Sequence, residues 1–131
     1  MFPIPVDQIV ALVDEDRPFF LATLRFNSAE IANLLSTSSF FTLVCQAGGT
    51  RIYISGCIDS RLTKIVGPAA TQVLHERFDY LEVPSVSAVW RAARPLVVRH
   101  FARSQSARAI ATCLGVCQRT VARDLTLGGR P

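Results

Sequence analysis

Ser106-Ala107-Arg108-Ala109-Ile110-Ala111-Thr112-Cys113-Leu114-Gly115-Val116-Cys117-Gln118-Arg119-Thr120-Val121-Ala122-Arg123-Asp124-Leu125 carries two apolar helical stripes separated by a glycine. Ile110, Ala111 and Leu114 share one face at i, i+1 and i+4, and Val121 and Leu125 repeat the i, i+4 spacing on a second short helix. Gly115 stands where the chain must turn, because a tight helix-to-helix corner needs a residue that takes a positive φ without a Cβ penalty. Ala111 is small where two steeply crossing helices leave little room. The segment reads as a helix-turn-helix. Short apolar-Gly-apolar patterns also occur in ordinary helical corners, so the outward face carries the distinction.

Gln118, Arg119, Thr120 and Arg123 point away from those stripes, at the start and middle of the second helix. In helix-turn-helix proteins that part of the helix enters the major groove, and Arg and Gln suit bidentate contact with guanine and adenine edges. Arg123 equally suits a phosphate. Arg108 adds a cation on the first helix of the motif. The charge distribution points the same way: from Trp90 to Pro131 there are eight arginines against one acid, Asp124, a net +7, whereas Met1 to Val89 holds six basic residues against nine acids, a net −3. Cations concentrated beside a groove-reading helix displace condensed counterions from duplex DNA, and this predicts salt-dependent affinity.

A chain of 131 residues, half of them apolar, buries one modest core or two small ones. No apolar run reaches the length needed to cross a bilayer, and Met1-Phe2-Pro3-Ile4-Pro5 lacks the basic start and apolar stretch of a signal peptide. A cytoplasmic protein with no membrane partner is expected. Cys45, Cys57, Cys113 and Cys117 have neither redox nor zinc-ribbon spacing, so reduced thiols are expected. Cys117 falls where a helix N-cap Ser is favoured, a position that can lower a thiol pKa and allow redox control of DNA binding, but a small buried or half-buried thiol is the expectation. His75 and His100 are the only histidines, and neither sits at a telling spacing from a nucleophile or an orienting group. Glycines fit neither a Walker nor a dinucleotide fingerprint. No catalytic residue, metal site or cofactor is expected.

Upstream of Trp90, Val6, Ile9, Val10 and Val13 predict a first amphipathic helix to Asp14, with Glu15-Asp16-Arg17-Pro18 as a break. Phe19 to Phe26 reads as helix by a small margin over strand. Asn27 or Ser28 caps a helix that continues from Ile31 to about Gln46, Gly48-Gly49 stops it, and Arg51 to Ser55 alternates as a strand. Leu62 to Pro84 repeats the pattern of Ile31 to Ser55: Leu34-Leu35 matches Ile65-Val66, Ser36 matches Gly67, Leu43 matches Leu74, and Ile52 to Ser55 matches Leu81 to Pro84. Each strand is too short to stand alone, so the two units must pack on each other or on a second chain. The fold expected is mainly α with short β-strands: a duplicated helix-turn-strand interaction domain over residues 1–85, with units at about 31–55 and 62–84, then a C-terminal helix-turn-helix domain over 86–131. Val89, Ala93, Leu96, Val97, His100 and Phe101 fit helical spacing, with a kink or a fresh helix start expected at Pro95. Trp90 is expected to fill core volume at the junction.

A glycine pair followed by Arg-Ile-Tyr-Ile, a basic connection and a terminal helix-turn-helix resemble the Mor (middle operon regulator) family of phage transcription activators, over about Ile31 to Leu125. The resemblance implies a homodimer with Gly48, Gly49, Ile52, Tyr53 and Ile54 at the dimerisation strand, and Gln118, Arg119, Thr120 and Arg123 on the recognition helix. It also implies double-stranded DNA as ligand and host RNA polymerase as partner. Ser55 stands where the family has proline, and Asp79-Tyr80 replaces the glycine pair in the second unit. Two units in one chain leave open whether strands pair within the chain or between chains. The function expected is a sequence-specific DNA-binding transcription regulator, an activator on an imperfect inverted repeat. The alternatives are a repressor or autoregulator of a mobile element and a protein-binding anti-activator.

Overall fold

The computed structural model describes residues 1–54 and 61–128. The fold is mainly helical with a short two-stranded sheet. In chain order it runs α1 (Val6–Glu15), α2 (Arg17–Thr23), α3 (Phe26–Leu34), α4 (Thr37–Ala47), β1 (Arg51–Tyr53), α5 (Arg61–Val66), α6 (Pro68–Arg77), β2 (Tyr80–Glu82), α7 (Val86–Phe101), α8 (Ala107–Leu114) and α9 (Gln118–Gly128). Among the described residues, no helix is long and apolar enough to cross a membrane. Ser55, at the end of the expected first strand, Cys57 and Arg130 lie outside the described residues.

α1 buries Ile9, Leu12 and Val13 against α4 and α7. The break after it falls at Asp16, and Pro18 occupies the first turn of α2, where its missing N–H and fixed φ cost nothing. Phe20 on α2 packs face to face on Phe41 and edge-on to Phe40, and Phe2 bridges Phe41 to Trp90, so Trp90 fills core volume at the junction.

The helix expected from Ile31 to Gln46 is instead two helices. α3 starts earlier, at Phe26, with neither Asn27 nor Ser28 as its cap, and ends at Leu34. Ser36 then caps α4 by accepting from the Ser39 N–H at 3.1 Å. Arg17 holds the break open: its Nη2 donates to the carbonyls of Ala32 at 2.7 Å and Leu35 at 2.8 Å, satisfying acceptors that a continuous helix would have paired internally. A distant guanidinium therefore outcompetes two backbone hydrogen bonds. The second half of the region has the same order of helix, break, helix and strand, and its break, Gly67 at φ +90°, falls at the position aligned with Ser36.

β1 and β2 pair antiparallel within the chain, Arg51 opposite Glu82, Ile52 opposite Leu81 and Tyr53 opposite Tyr80. Ile52 and Leu81 point into the core. The alternate residues form an exposed face on which Arg51 bridges Glu82 at 2.6 Å and lies 4.6 Å from the centre of the Tyr80 ring. The turn into β1 requires glycine twice. A Cβ on Gly48 would sit 2.5 Å from the Val44 carbonyl oxygen, and Gly49 has φ +78°.

α7 is the spine. It is helical through Pro95, so no fresh helix begins there. Proline inside a helix costs about 3 kcal/mol, but Ala92, Ala93, Leu96, Val97 and Val98 around it are all buried, between α1, α2 and α4 on one side and α9 on the other. Packing on both flanks offsets the lost hydrogen bond.

α9 is held to this spine by a charged pair as well as by Val121. Arg94 Nε donates to Asp124 Oδ2 at 2.6 Å and Arg94 Nη2 to Oδ1 at 3.4 Å, a two-point contact in which the Asp124 side chain is 2% exposed and that of Arg94 12%. Arg94→Met is expected to destabilise the protein by about 3–5 kcal/mol, because it leaves a buried carboxylate unpaired. Replacing both, as Arg94→Met with Asp124→Leu, should cost much less; chemical denaturation of the two variants measures the difference.

Candidate nucleic-acid interface

Ser106 caps α8 by accepting from the Ala109 N–H at 3.1 Å, and Ile110, Ala111 and Leu114 are buried as their spacing requires. Gly115 ends the helix at φ +70°, ψ +32°, the left-handed conformation expected of it. Cys117 then starts α9, its carbonyl accepting the first helical bond from the Val121 N–H at 3.2 Å. Two helices joined across residues 115–117 are thus pinned by one cap and one glycine, and α9 packs on both α8 and α7.

Orientation of α9 follows from what it buries. Val121 and Asp124 face inward and Leu125 is half-buried. Gln118 and Arg119 are therefore exposed at the amino end of the helix, with Thr120 half-buried beside them. Arg123 is exposed too, but on the flank that also carries Leu127, where it lines a groove formed with α7 and the start of α3. Arg108 is exposed on α8. Gln118, Arg119 and Thr120 share the first turn of α9, and Arg123 follows Arg119 one turn later on the same stripe, at i, i+4, while also lining the groove.

The +7 charge counted along the segment is distributed unequally. Arg94 is neutralised by Asp124, and Arg99 reaches Asp16 at 3.3 Å, so two of the arginines fasten α7 to its neighbours. Arg91, Arg103, Arg108, Arg119 and Arg123 are exposed and, among the described residues, have no carboxylate partner. Sequence spacing alone missed the role of Asp124. Its signal was present: it is the one acid in a basic segment, three residues after the inward-facing Val121, on the buried side of the helix.

Of the five residues assigned to a dimerisation strand, Ile52 and Ile54 are buried within the chain and Gly48 and Gly49 serve its turn. Tyr53 alone presents a large side chain to solvent, 77% exposed, opposite Tyr80 at 46%. His75 is exposed on α6, and His100 is half-buried on α7 with its ring against Phe101. Among the described residues no group of His, Cys, Asp or Glu is placed to hold a metal ion.

The Cys117 thiol is held below the ordinary thiol range by hydrogen bonds that favour its thiolate, first from the Thr120 hydroxyl, 3.2 Å away, then from the backbone N–H groups of Thr120 and Arg119. It is exposed, not buried or half-buried as expected, because it stands at the open start of α9; Cys45 and Cys113 are exposed too. The chain matches no protein-family model, no curated protein and no solved structure.

A lowered pKa raises the thiolate fraction of Cys117 at neutral pH, so iodoacetamide should label it readily there. Thr120→Val should shift its labelling profile to higher pH. Peptide mass spectrometry after timed labelling across a pH series reads both effects at the individual cysteines.

Proposed function

We propose that this chain is a sequence-specific regulator of transcription that binds double-stranded DNA through α9. The observation that carries the reading is the division of α9 into two faces. The Arg94–Asp124 pair and the buried Val121 fix one face, while Gln118 and Arg119 are exposed at its amino end and Arg119, Arg123 and Arg108 have no carboxylate partner among the described residues. A helix fixed from behind with guanidinium and amide groups in front has the form needed for reading base edges in a major groove. Arg103, between α7 and α8, and Arg108 on α8, exposed and with no carboxylate partner among the described residues, supply phosphate contacts that set register.

The motif order shared with the Mor family supports an activator in a phage or prophage setting, acting in the cytoplasm without catalytic activity. A homodimer on an imperfect inverted repeat fits a small reader whose single helix spans only a half-site. β1 and β2 satisfy each other within the chain, so the dimer in this reading forms without strand exchange. The exposed Tyr53 and Tyr80 face, flanked by two short strand edges, is its contact surface. Polymerase contact distinguishes the activator from a repressor of the same operator.

Selection of bound sites from random duplexes, followed by mobility shift over a salt series, tests this directly. A palindromic consensus and affinity that falls with salt are expected. Arg119→Ala should weaken consensus binding by about 1–3 kcal/mol and relax preference at one base position, with the unfolding midpoint unchanged. An absence of salt-dependent binding to any duplex refutes the reading and leaves a protein-binding role.

A further inference from the structure

The groove beside α9 has features that a nucleic-acid surface does not need. Its floor is apolar, with Leu24, Val83 and Ala92 buried beneath it. Two large apolar side chains stand on its rim almost undressed: Phe26 is 81% exposed and Leu127 52%. Phe26 opens α3 and Leu127 lies near the end of α9, so the groove separates the amino-terminal helices from the last one.

Charge around the groove is one-sided. Glu82 is already engaged by Arg51 and Asp124 by Arg94, so the two carboxylates lining it are spent within the chain. Arg25, Arg91 and Arg123 are exposed along it and, among the described residues, pair with no carboxylate. α3 begins in the same groove with no side-chain cap and no acidic residue in its first turn. Its leading N–H groups, at the positive end of the helix dipole, belong to Phe26, Asn27 and Ser28, which line the groove with the three arginines.

We infer that this groove is a docking site for an acidic peptide segment with apolar anchors, taken from another protein. Phe26 and Leu127 receive the anchors, and Arg25, Arg91 and Arg123 with the open end of α3 receive the carboxylates. Apolar burial supplies the affinity and charge complementarity selects the partner. A phosphate backbone would use the arginines and gain nothing from an exposed Phe. Arg123 belongs to this groove and to the DNA reading alike, whereas Arg25, Phe26 and Arg91 belong to the groove alone. The inference therefore stands or falls separately from DNA recognition.

The probe is a fluorescein-labelled synthetic peptide that forms an amphipathic helix, Glu and Asp on one face and Leu and Phe on the other, titrated into the full chain by fluorescence anisotropy. The expected result is saturable, salt-sensitive binding. Arg25→Glu combined with Arg91→Glu should weaken it at least about ten-fold, and Phe26→Ala about ten-fold. All three positions are exposed, so circular dichroism melting should match the parent chain. No binding of the peptide, equal binding of a version with Gln replacing every acid, or equal affinity in the variants overturns the proposal. Loss of duplex DNA binding in Phe26→Ala also overturns it, by assigning the groove to nucleic acid.

Discussion

Arg94 and Asp124 hold each other where neither has water to fall back on, and the orientation of α9 depends on that contact. Val121 is a small anchor that a helix could rotate around. A two-point ion pair at 2.6 and 3.4 Å admits one rotational setting. Charge pairs in such surroundings add little net stability compared with apolar residues of the same shape, but they penalise every arrangement that breaks them. Their contribution here is uniqueness. With Asp124 turned inward, helical geometry turns Arg119 and Arg123 outward on one stripe, with Gln118 exposed at the amino end and Leu127 one turn beyond Arg123.

The same pair changes how the charge of the chain is understood. A segment net charge of +7 is a count along the sequence, and electrostatics acts through positions in space. Two of its arginines, Arg94 and Arg99, serve as internal fasteners, one to α9 and one to Asp16 at the end of α1. What remains for a partner is a set of exposed guanidinium groups on α7, α8 and α9. Asp16 is one of the acids of the amino-terminal segment, and its carboxylate takes part in the attachment of α7.

Much of the fold is legible in residue order, and the gaps have a common cause. Helix α1, the turn at Gly115, the cap at Ser106 and both strands follow from periodicity and local turn chemistry, which need only neighbours a few residues apart. The division of the expected 31–46 helix needed Arg17, a side chain 15 and 18 residues away from the carbonyls it satisfies. Pro95 inside α7 depended on burial from two sides, which again no local window contains. Ser36-Thr37-Ser38-Ser39 was a readable hint, since a run of small hydroxyl residues favours a cap over a helix interior. In the candidate site, exposure of Gln118, Arg119 and Arg123 followed from spacing alone. The neutralised Arg94 and the groove around Arg25, Phe26 and Arg91 required knowing which distant segments meet.

α7 carries this economy one step further. One of its sides is core for the amino-terminal helices and the other is the seat of α9, with Pro95 between Arg94, which fastens α9, and Leu96, which fills the interior. A helix buried on both sides transmits displacement poorly as bending and well as rigid movement, because close-packed interiors resist local deformation. An occupant seated between Phe26 and Leu127 would touch α3 and α9 at once, and α9 is secured by packing on α7 and α8 as well as by the Arg94–Asp124 pair. The groove and the amino end of α9 are thus separate surfaces on one fixed helix, with the buried Arg94–Asp124 pair between them.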